Sequence, residues 1–270
     1  AFYSKEGLVT VSLSWIIMSL VGALPYFLTG EIPNYVDAVF ETVSGFTTTG
    51  SSIMPDVEIL SKCSAFWRCF TNWIGGMGVL VLVLAILPLS GSYNMHIMRA
   101  ESPGPSVGKL VPKVKTTAMI LYGIYAFITA MEVVLLMIAG MSFYEAITLS
   151  MATAGTGGFA LLNSSIGSYT VAVQVIITIF MLLCAINFNV YYLVYAKKPK
   201  EALACEEMRV FLLIVLISTV VITFNIVSSF DNVFIAFQTA AFQVASVITT
   251  TGFSTADFDK WPELSRIILL

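Results

Sequence analysis

Five apolar segments are each long enough to cross a lipid bilayer, and they constrain the fold more than any other feature. They run over residues 8–28, 65–87, 117–139, 171–196 and 210–227. A helix of about 20 residues, rising about 1.5 Å per residue, covers the roughly 30 Å hydrocarbon core. Only 11% of the residues are charged, against about 25% in soluble domains. Backbone in lipid must satisfy its own hydrogen bonds, so these runs predict an all-α integral membrane protein.

Three short Thr-Gly segments recur between these spans. Their glycines, Gly50, Gly158 and Gly252, lie 108 and 94 residues apart. Each segment follows an apolar stretch that is too short to span the membrane, and each stretch is preceded by a residue suited to cap a helix N-terminus. The three half-length helices are predicted over Tyr35–Phe46, Phe143–Ala154 and Val233–Ile248, after Asn34, Ser142 and Asp231-Asn232. Such a period indicates internal duplication.

A chain that enters the membrane as a half-helix must return without helical hydrogen bonds. This is tolerated only where the backbone is buried in protein or lines a wet cavity. Glycine reaches positive φ, threonine adds a hydroxyl oxygen, and a dehydrated cation is a suitable partner for free carbonyls. The sequence therefore predicts a central ion pore with a selectivity filter formed by Thr48, Thr49, Gly50, Thr156, Gly157, Gly158, Thr250, Thr251 and Gly252. In the second loop Gly158 is aligned with Gly252, and Gly157 is the alternative.

The repeated order of span, half-helix, Thr-Gly loop and span divides the chain. The first helix–pore-loop–helix repeat covers 1–90, the second 117–196 and an incomplete third 209–270, with linkers over 91–116 and 197–208. Nine of the thirteen basic residues lie at Lys5 or in the region of these linkers. Basic loops stay in the cytoplasm, so both linkers are predicted to be cytoplasmic. The Thr-Gly loops then open outside, among acidic residues that favour cations.

Several motifs resemble the Trk/Ktr/HKT superfamily of potassium-uptake proteins, and the linker motif is most similar to the bacterial Trk branch. The matching segments are 46–51 (FTTTGS), 72–78 (NWIGGMG), 99–105 (RAESPGP), 156–159 (TGGF), 187–188 (NF) and 250–254 (TTGFS). The resemblance implies four helix–pore-loop–helix repeats around one pore, with one filter glycine per repeat. It also implies potassium selectivity, because glycine rather than serine stands at Gly50.

The resemblance implies further properties. These are a homodimer, a cytoplasmic nucleotide-binding regulatory subunit, a place in the bacterial cytoplasmic (inner) membrane, and K⁺ as the transported ion without a bound cofactor. The fourth repeat and the gating loop of the third do not occur in the 270 residues. The chain is therefore expected to be a fragment of a longer protein, truncated before the fourth repeat.

Other polar residues in the apolar segments allow more than one interpretation. Arg68 can pair with Glu41 or Asp56 behind the filter, or extend to water. Glu132 is the one acid well inside a predicted span, and it is either functional or a buried carboxyl hydrogen-bonded to a neighbouring helix. Asn187 is expected to form interhelical hydrogen bonds.

The glycine-rich segment after Asn72 is expected to serve close helix packing behind the filter. It contains Gly75, Gly76 and Gly78. Small residues let helices in a membrane approach closely.

No nucleophile, phosphate-loop or zinc motif occurs, so the sequence predicts neither an enzyme nor a nucleic-acid-binding protein. The leading alternative is a cation-coupled secondary transporter with broken helices. A non-conducting truncated remnant is the other. Three half-helices that re-enter in the same order favour the pore.

Overall fold

The computed structural model describes residues 4–78, 114–230 and 232–270, and within these ranges its regular structure is entirely helical. The helices are α1 Ser4–Gly22, α2 Leu24–Leu28, α3 Tyr35–Phe46, α4 Lys62–Gly76, α5 Val114–Ile138, α6 Phe143–Ala154, α7 Val171–Ala185, α8 Phe188–Tyr195, α9 Pro199–Leu203, α10 Glu206–Ile226, α11 Val233–Ile248 and α12 Glu263–Leu269. Short 3₁₀ turns cover Val227–Ser229 and Phe258–Lys260.

The three half-helices α3, α6 and α11 begin and end where the sequence predicts. Each starts at a capping side chain that satisfies a free N–H of the first turn. Asn34 accepts from the Val36 amide at 3.0 Å, and Asn232 accepts from the Phe234 amide at 2.8 Å. Ser142 forms a reciprocal capping box with Glu145. Polar residues at these sites therefore determine where each half-helix starts.

Among the residues that the structure describes, three segments are long and apolar enough to cross a membrane: Val11–Leu28, Ala118–Ile138 and Glu206–Ser229. They confirm the first, third and fifth predicted spans, although α10 begins at Glu206 rather than Val210. Much of their surface is exposed apolar side chain, as for Phe127 and Phe224. Such surface is suited to contact with lipid.

The prediction of one unbroken helix over 171–196 is wrong. Helix α7 ends at Ala185, α8 begins at Phe188, and the two are bent by 85°. The break lies at Asn187, whose side chain accepts from the Asn189 amide at 3.0 Å and so caps α8 as a new helix. The side-chain nitrogen of Asn187 also donates to the Glu207 carboxylate of α10 at 3.3 Å, which is an interhelical contact of the kind expected for Asn187.

The prediction of one continuous helix over 65–87 is also wrong at its centre. Helix α4 starts at Lys62 and ends at Gly76. Gly78 follows with φ +77° and donates its amide to the Gly75 carbonyl at 2.8 Å, as a glycine beyond a helix C-terminus commonly does. Residues 79–87 and nearly all of the first linker lie outside the described residues.

Helix α4 packs directly behind the ends of two half-helices. A Cβ atom on Gly75 would overlap the Phe46 carbonyl at the end of α3. A Cβ atom on Gly76 would overlap the Gly155 backbone and lie 2.8 Å from the Tyr125 hydroxyl oxygen. The expected packing role of these two glycines is therefore what the structure shows.

Gly75→Ala is expected to destabilise the protein by about 1–3 kcal/mol. The new methyl group would overlap the Phe46 carbonyl, which is backbone and has no alternative rotamer. The matched control is Gly123→Ala, at a helical glycine of α5 where, in the ranges that the structure describes, no atom outside the helix backbone lies within 4 Å of an added Cβ. Thermal unfolding of the purified full-length gene product in detergent measures both. Equal midpoints for the two variants would contradict the close packing of α4.

Candidate functional site

The three Thr-Gly loops leave their half-helices through closely similar backbone turns. In the first two loops one amide bonds three residues back and the next amide five residues back, as in a Schellman motif. The bonds are Thr48 to Gly45 and Thr49 to Ser44 in the first loop, and Thr156 to Thr153 and Gly157 to Ala152 in the second. In the third loop Thr250 bonds to Val247, and Gly252 bonds to Ser246. The loop amides therefore turn back onto their own helices.

A threonine occupies the left-handed position of each turn. Thr48, Thr156 and Thr250 have φ of 54°, 51° and 58°. A β-branched residue rarely adopts positive φ, and glycine is the usual residue at this point of a helix end. Two residues later Gly50, Gly158 and Gly252 have φ of 74°, 69° and 82°. The shared pattern aligns Gly158, not Gly157, with the other two glycines.

The three glycines lie next to one another although they are far apart in sequence. A Cβ atom on Gly50 would overlap the Gly157 carbonyl oxygen and lie 3.9 Å from the Thr251 carbonyl oxygen. A Cβ atom on Gly158 would overlap the Thr251 carbonyl oxygen. Gly50 and Gly158 thus each face the carbonyl group of the residue just before the glycine of the next loop. The structure therefore brings the predicted site residues of all three repeats together.

The carbonyls at this meeting point are not used to build the fold. Within the described ranges, the carbonyl oxygens of Thr49, Gly157 and Thr251 accept no hydrogen bond from the protein. Gly157 and Thr251 are also buried. Buried carbonyl groups nearly always have a partner. Because these carbonyl oxygens have none in the described protein, they are available to a ligand.

A cavity of about 340 Å³ adjoins the threonine side of the loops. Thr156, Thr249 and Thr250 line it on the loop side. Asn187 and Glu207, at the α7–α8 break and the start of α10, line it elsewhere. Apolar residues such as Ile186 and Phe211 complete the lining, and the volume is large enough for a hydrated ion beside the polar groups.

Arg68 is buried and pairs with Glu41, which selects one of the three predicted alternatives. Asp56 instead belongs to a surface contact between the first two loops. The Asn163 side chain donates to Asp56 at 2.7 Å, and this hydrogen bond holds the pKa of the Asp56 carboxyl below its ordinary value. The Asn163 side-chain oxygen accepts from the Val57 amide at 2.9 Å. The first and second loops are thus linked both in the interior and at the surface.

Two buried polar residues lie behind the second loop. Glu132 of α5 is fully buried beside Thr153, near the end of α6. Asn72 of α4 is also fully buried, and its amide lies against Gly157 so closely that a Cβ atom there would overlap it. Asn72 begins the 72–78 segment that carries the family resemblance, but no role was predicted for it. An asparagine in an apolar helix, four residues after Arg68 and so on the same helix face, was the signal available.

The fold and site define a multi-pass membrane protein in which repeated half-helices bring Thr-Gly loops to one point. A family model described as TrkH, cation transport protein, matches residues 1–270, and the chain belongs to this family. The structure is similar to the crystal structure of the potassium transporter TrkH from Vibrio parahaemolyticus, with TM-score 0.82 and 32% identity over 99% of this chain and 55% of that chain.

Curated relatives agree with this assignment. The Trk system potassium uptake protein TrkH of Escherichia coli K12 is 37% identical over 99% of this chain and 56% of its own length. TrkH of Vibrio parahaemolyticus is 36% identical over 99% of this chain and 57% of its own length. Trk potassium uptake protein TrkG of Escherichia coli K12 is 33% identical over 99% of this chain. The relatives bear out the Trk branch, and the chain spans somewhat more than half of their length.

Thr250→Gly is expected to leave thermal stability unchanged or raise it, because positive φ strains a residue with a Cβ by about 1–2 kcal/mol. Cation uptake should nevertheless fall, because the freer backbone no longer holds the Thr251 carbonyl in one orientation. Lys197→Gly is the control, since Lys197 has φ 59° at the exposed end of α8. If the Thr250→Gly variant takes up cations as fast as wild type, Thr250 only ends its half-helix and has no role in uptake.

Proposed function

We propose that the chain forms the larger part of a potassium pore through which K⁺ enters the cell across the bacterial cytoplasmic membrane. One observation carries the proposal: three Thr-Gly loops from separate repeats meet, and the unpaired carbonyls of Gly157 and Thr251 face the glycines of the neighbouring loops. Carbonyls in this state can replace the hydration shell of a cation. The names of the relatives supply the ion, since they are potassium uptake proteins.

The ion-binding residues are the nine predicted from the sequence. In each loop they form a run of three that ends at the glycine with positive φ: Thr48, Thr49 and Gly50; Thr156, Gly157 and Gly158; Thr250, Thr251 and Gly252. The glycine supplies the turn, and the residues before it supply oxygens. The C-terminus of each half-helix, which carries partial negative charge, adds attraction for a cation.

The loops follow one order around the site. Gly50 faces the second loop and Gly158 faces the third, but a Cβ atom on Gly252 would meet no atom of the described residues within 4 Å. This open side is where the resemblance places the loop of a fourth repeat. A fourth loop there would complete the ring of oxygens around the ion.

The secondary-transporter alternative is weaker on this geometry. Such transporters bind substrate between discontinuous helices of paired halves. Here the equivalent element occurs three times, and all three copies end at one point. A single shared axis fits a pore better than a site between two halves.

The resemblance to the Trk branch supports the partners proposed for the complete protein. These are the transported K⁺, the lipid bilayer, a second copy in a homodimer and a cytoplasmic nucleotide-binding regulatory subunit. No nucleic-acid partner and no covalently bound cofactor belong to the proposal. Driven by the membrane potential, the ion moves inward.

Expression of the full-length gene product is expected to restore growth of a potassium-requiring bacterial strain at low K⁺. Gly50→Ser should reduce the preference for K⁺ over Na⁺ in competitive uptake, because its Cβ overlaps the Gly157 carbonyl oxygen. The matched control is Gly30→Ser, since Gly30 has the same φ of +74° and no atom of the described part of the chain lies within 4 Å of an added Cβ.

The two parts of this experiment fail separately. No growth by wild type, with the protein present in the membrane, would overturn potassium uptake. Growth by wild type together with equal preference in the Gly50→Ser and Gly30→Ser variants would leave uptake standing and remove Gly50 from the filter.

The linker over 197–208 is proposed to be cytoplasmic, and Asp257 to lie outside, from the distribution of basic residues. In a background with all four cysteines replaced, Asp257→Cys should react with an impermeant thiol reagent on intact cells, and Lys200→Cys should react only after lysis. Both positions are exposed in the structure, so access within the protein is matched. The reverse labelling pattern would invert the topology and the direction of the pore.

A further inference from the structure

We propose that the buried Glu41–Arg68 pair is a positioning device that fixes the first two Thr-Gly loops relative to each other and thereby sets the preference for K⁺ over Na⁺. The inference rests on the proposed potassium pathway. Neither residue touches the ion; both act through the backbone that follows the filter glycines.

The pair joins two elements behind the filter. Glu41 of α3 is fully buried, and Arg68 of α4 is 4% exposed. The Arg68 Nε atom donates to Glu41 Oε1 at 2.5 Å. Placing two charges in the interior is unfavourable unless their other hydrogen-bonding capacity is also used.

Glu41 uses that capacity on the backbone just after Gly50. Its carboxylate accepts from the Ser52 hydroxyl at 3.1 and 3.2 Å. It also accepts from the Ile53 amide at 3.0 Å. The segment that leaves the first filter loop is therefore bonded to the half-helix that enters it.

Arg68 reaches the corresponding segment of the second loop. The Arg68 Nη1 atom donates to the Ala160 carbonyl at 3.1 Å. Its guanidinium lies 3.7 Å from the ring centre of Phe159, the residue after Gly158. A planar guanidinium presents its donors in a rigid fork and stacks flat on a ring, so it can hold a carboxylate, a carbonyl and a ring in one fixed arrangement, whereas an ammonium group is a compact point charge on a flexible stem.

The three repeats show that this point is an anchor rather than incidental packing. Glu41, Leu149 and Gln243 each lie nine residues before the filter glycine of their repeat. Gln243 donates to the Ser254 hydroxyl at 3.5 Å and to the Ala256 carbonyl at 2.9 Å. Glu41 and Gln243 thus hold the same part of their own loops.

The second repeat has an apolar residue, Leu149, at this position, so it cannot anchor its loop in the same way. Ala160, two residues after Gly158, is instead held by Arg68 from α4. Ser52 and Ser254 stand at the same distance after Gly50 and Gly252. Every described loop is therefore bonded at one equivalent point, and in the first two loops the bonds share one ion pair.

The test uses the full-length gene product in competitive K⁺ and Na⁺ uptake, normalised to protein in the membrane. Glu41→Gln removes the negative partner of Arg68, and Arg68→Lys keeps the charge but loses the planar fork that reaches Glu41 and the Ala160 carbonyl together. Each should raise KM for K⁺ and lower the preference for K⁺ by about tenfold, with a smaller effect on maximal rate per protein. Glu145→Gln is the control, since this carboxylate of α6 caps its own helix.

The double variant Glu41→Met, Arg68→Met separates positioning from stability. Removing both charges of a buried pair is usually tolerated, whereas removing one is not. Its abundance should therefore recover while its preference for K⁺ stays low. Recovery of both would show that the pair only fills space, and unchanged preference in the single variants with normal wild-type uptake would overturn the positioning role alone. Absence of uptake by wild type would overturn the potassium pathway and this inference together.

Discussion

Backbone that leaves a helix inside a membrane must have its polar groups paired, and the rest of this structure depends on that constraint. The turns after α3, α6 and α11 meet half of it by bonding loop amides to the last helical carbonyls. The carbonyl oxygens of the next loop residues have no donor within the described protein, and the three loops bring them to one region. Close approach of α4 through Gly75 and Gly76 excludes lipid from behind two of these turns.

The repeats share backbone geometry more strictly than they share side chains. The φ values at the three threonines agree within a few degrees, yet the residues that hold the returning segments are a glutamate, an arginine from another helix and a glutamine. Oxygens around an ion must be equivalent in position, whereas the groups behind them need only hold the backbone. Duplicated sequences can therefore diverge in the second role while the first is kept.

The sequence was sufficient to predict the half-helices, because each begins at a capping residue and ends at a Thr-Gly turn, and both signals are local. It was not sufficient to predict the break at Asn187, because the residues on both sides are apolar and an asparagine suits either a cap or an interhelical bond. The partner of Arg68 likewise depended on a distance between helices. A linear sequence allows Glu41 and Asp56 equally, and only packing of α3 against α4 selects the first.

Threonine at the left-handed position is unfavourable for the fold alone, since glycine would end each half-helix with less strain. Its presence in all three loops therefore points to a requirement of the site. A Cβ atom at positive φ narrows the range of backbone angles, so the carbonyl that follows is less free to rotate than after glycine. At the next positive φ, in Gly50 and Gly158, a Cβ atom would overlap the neighbouring loop. The threonine thus restricts the orientation of the carbonyl that follows it, and Gly50 and Gly158 leave room for the carbonyl oxygen of the next loop.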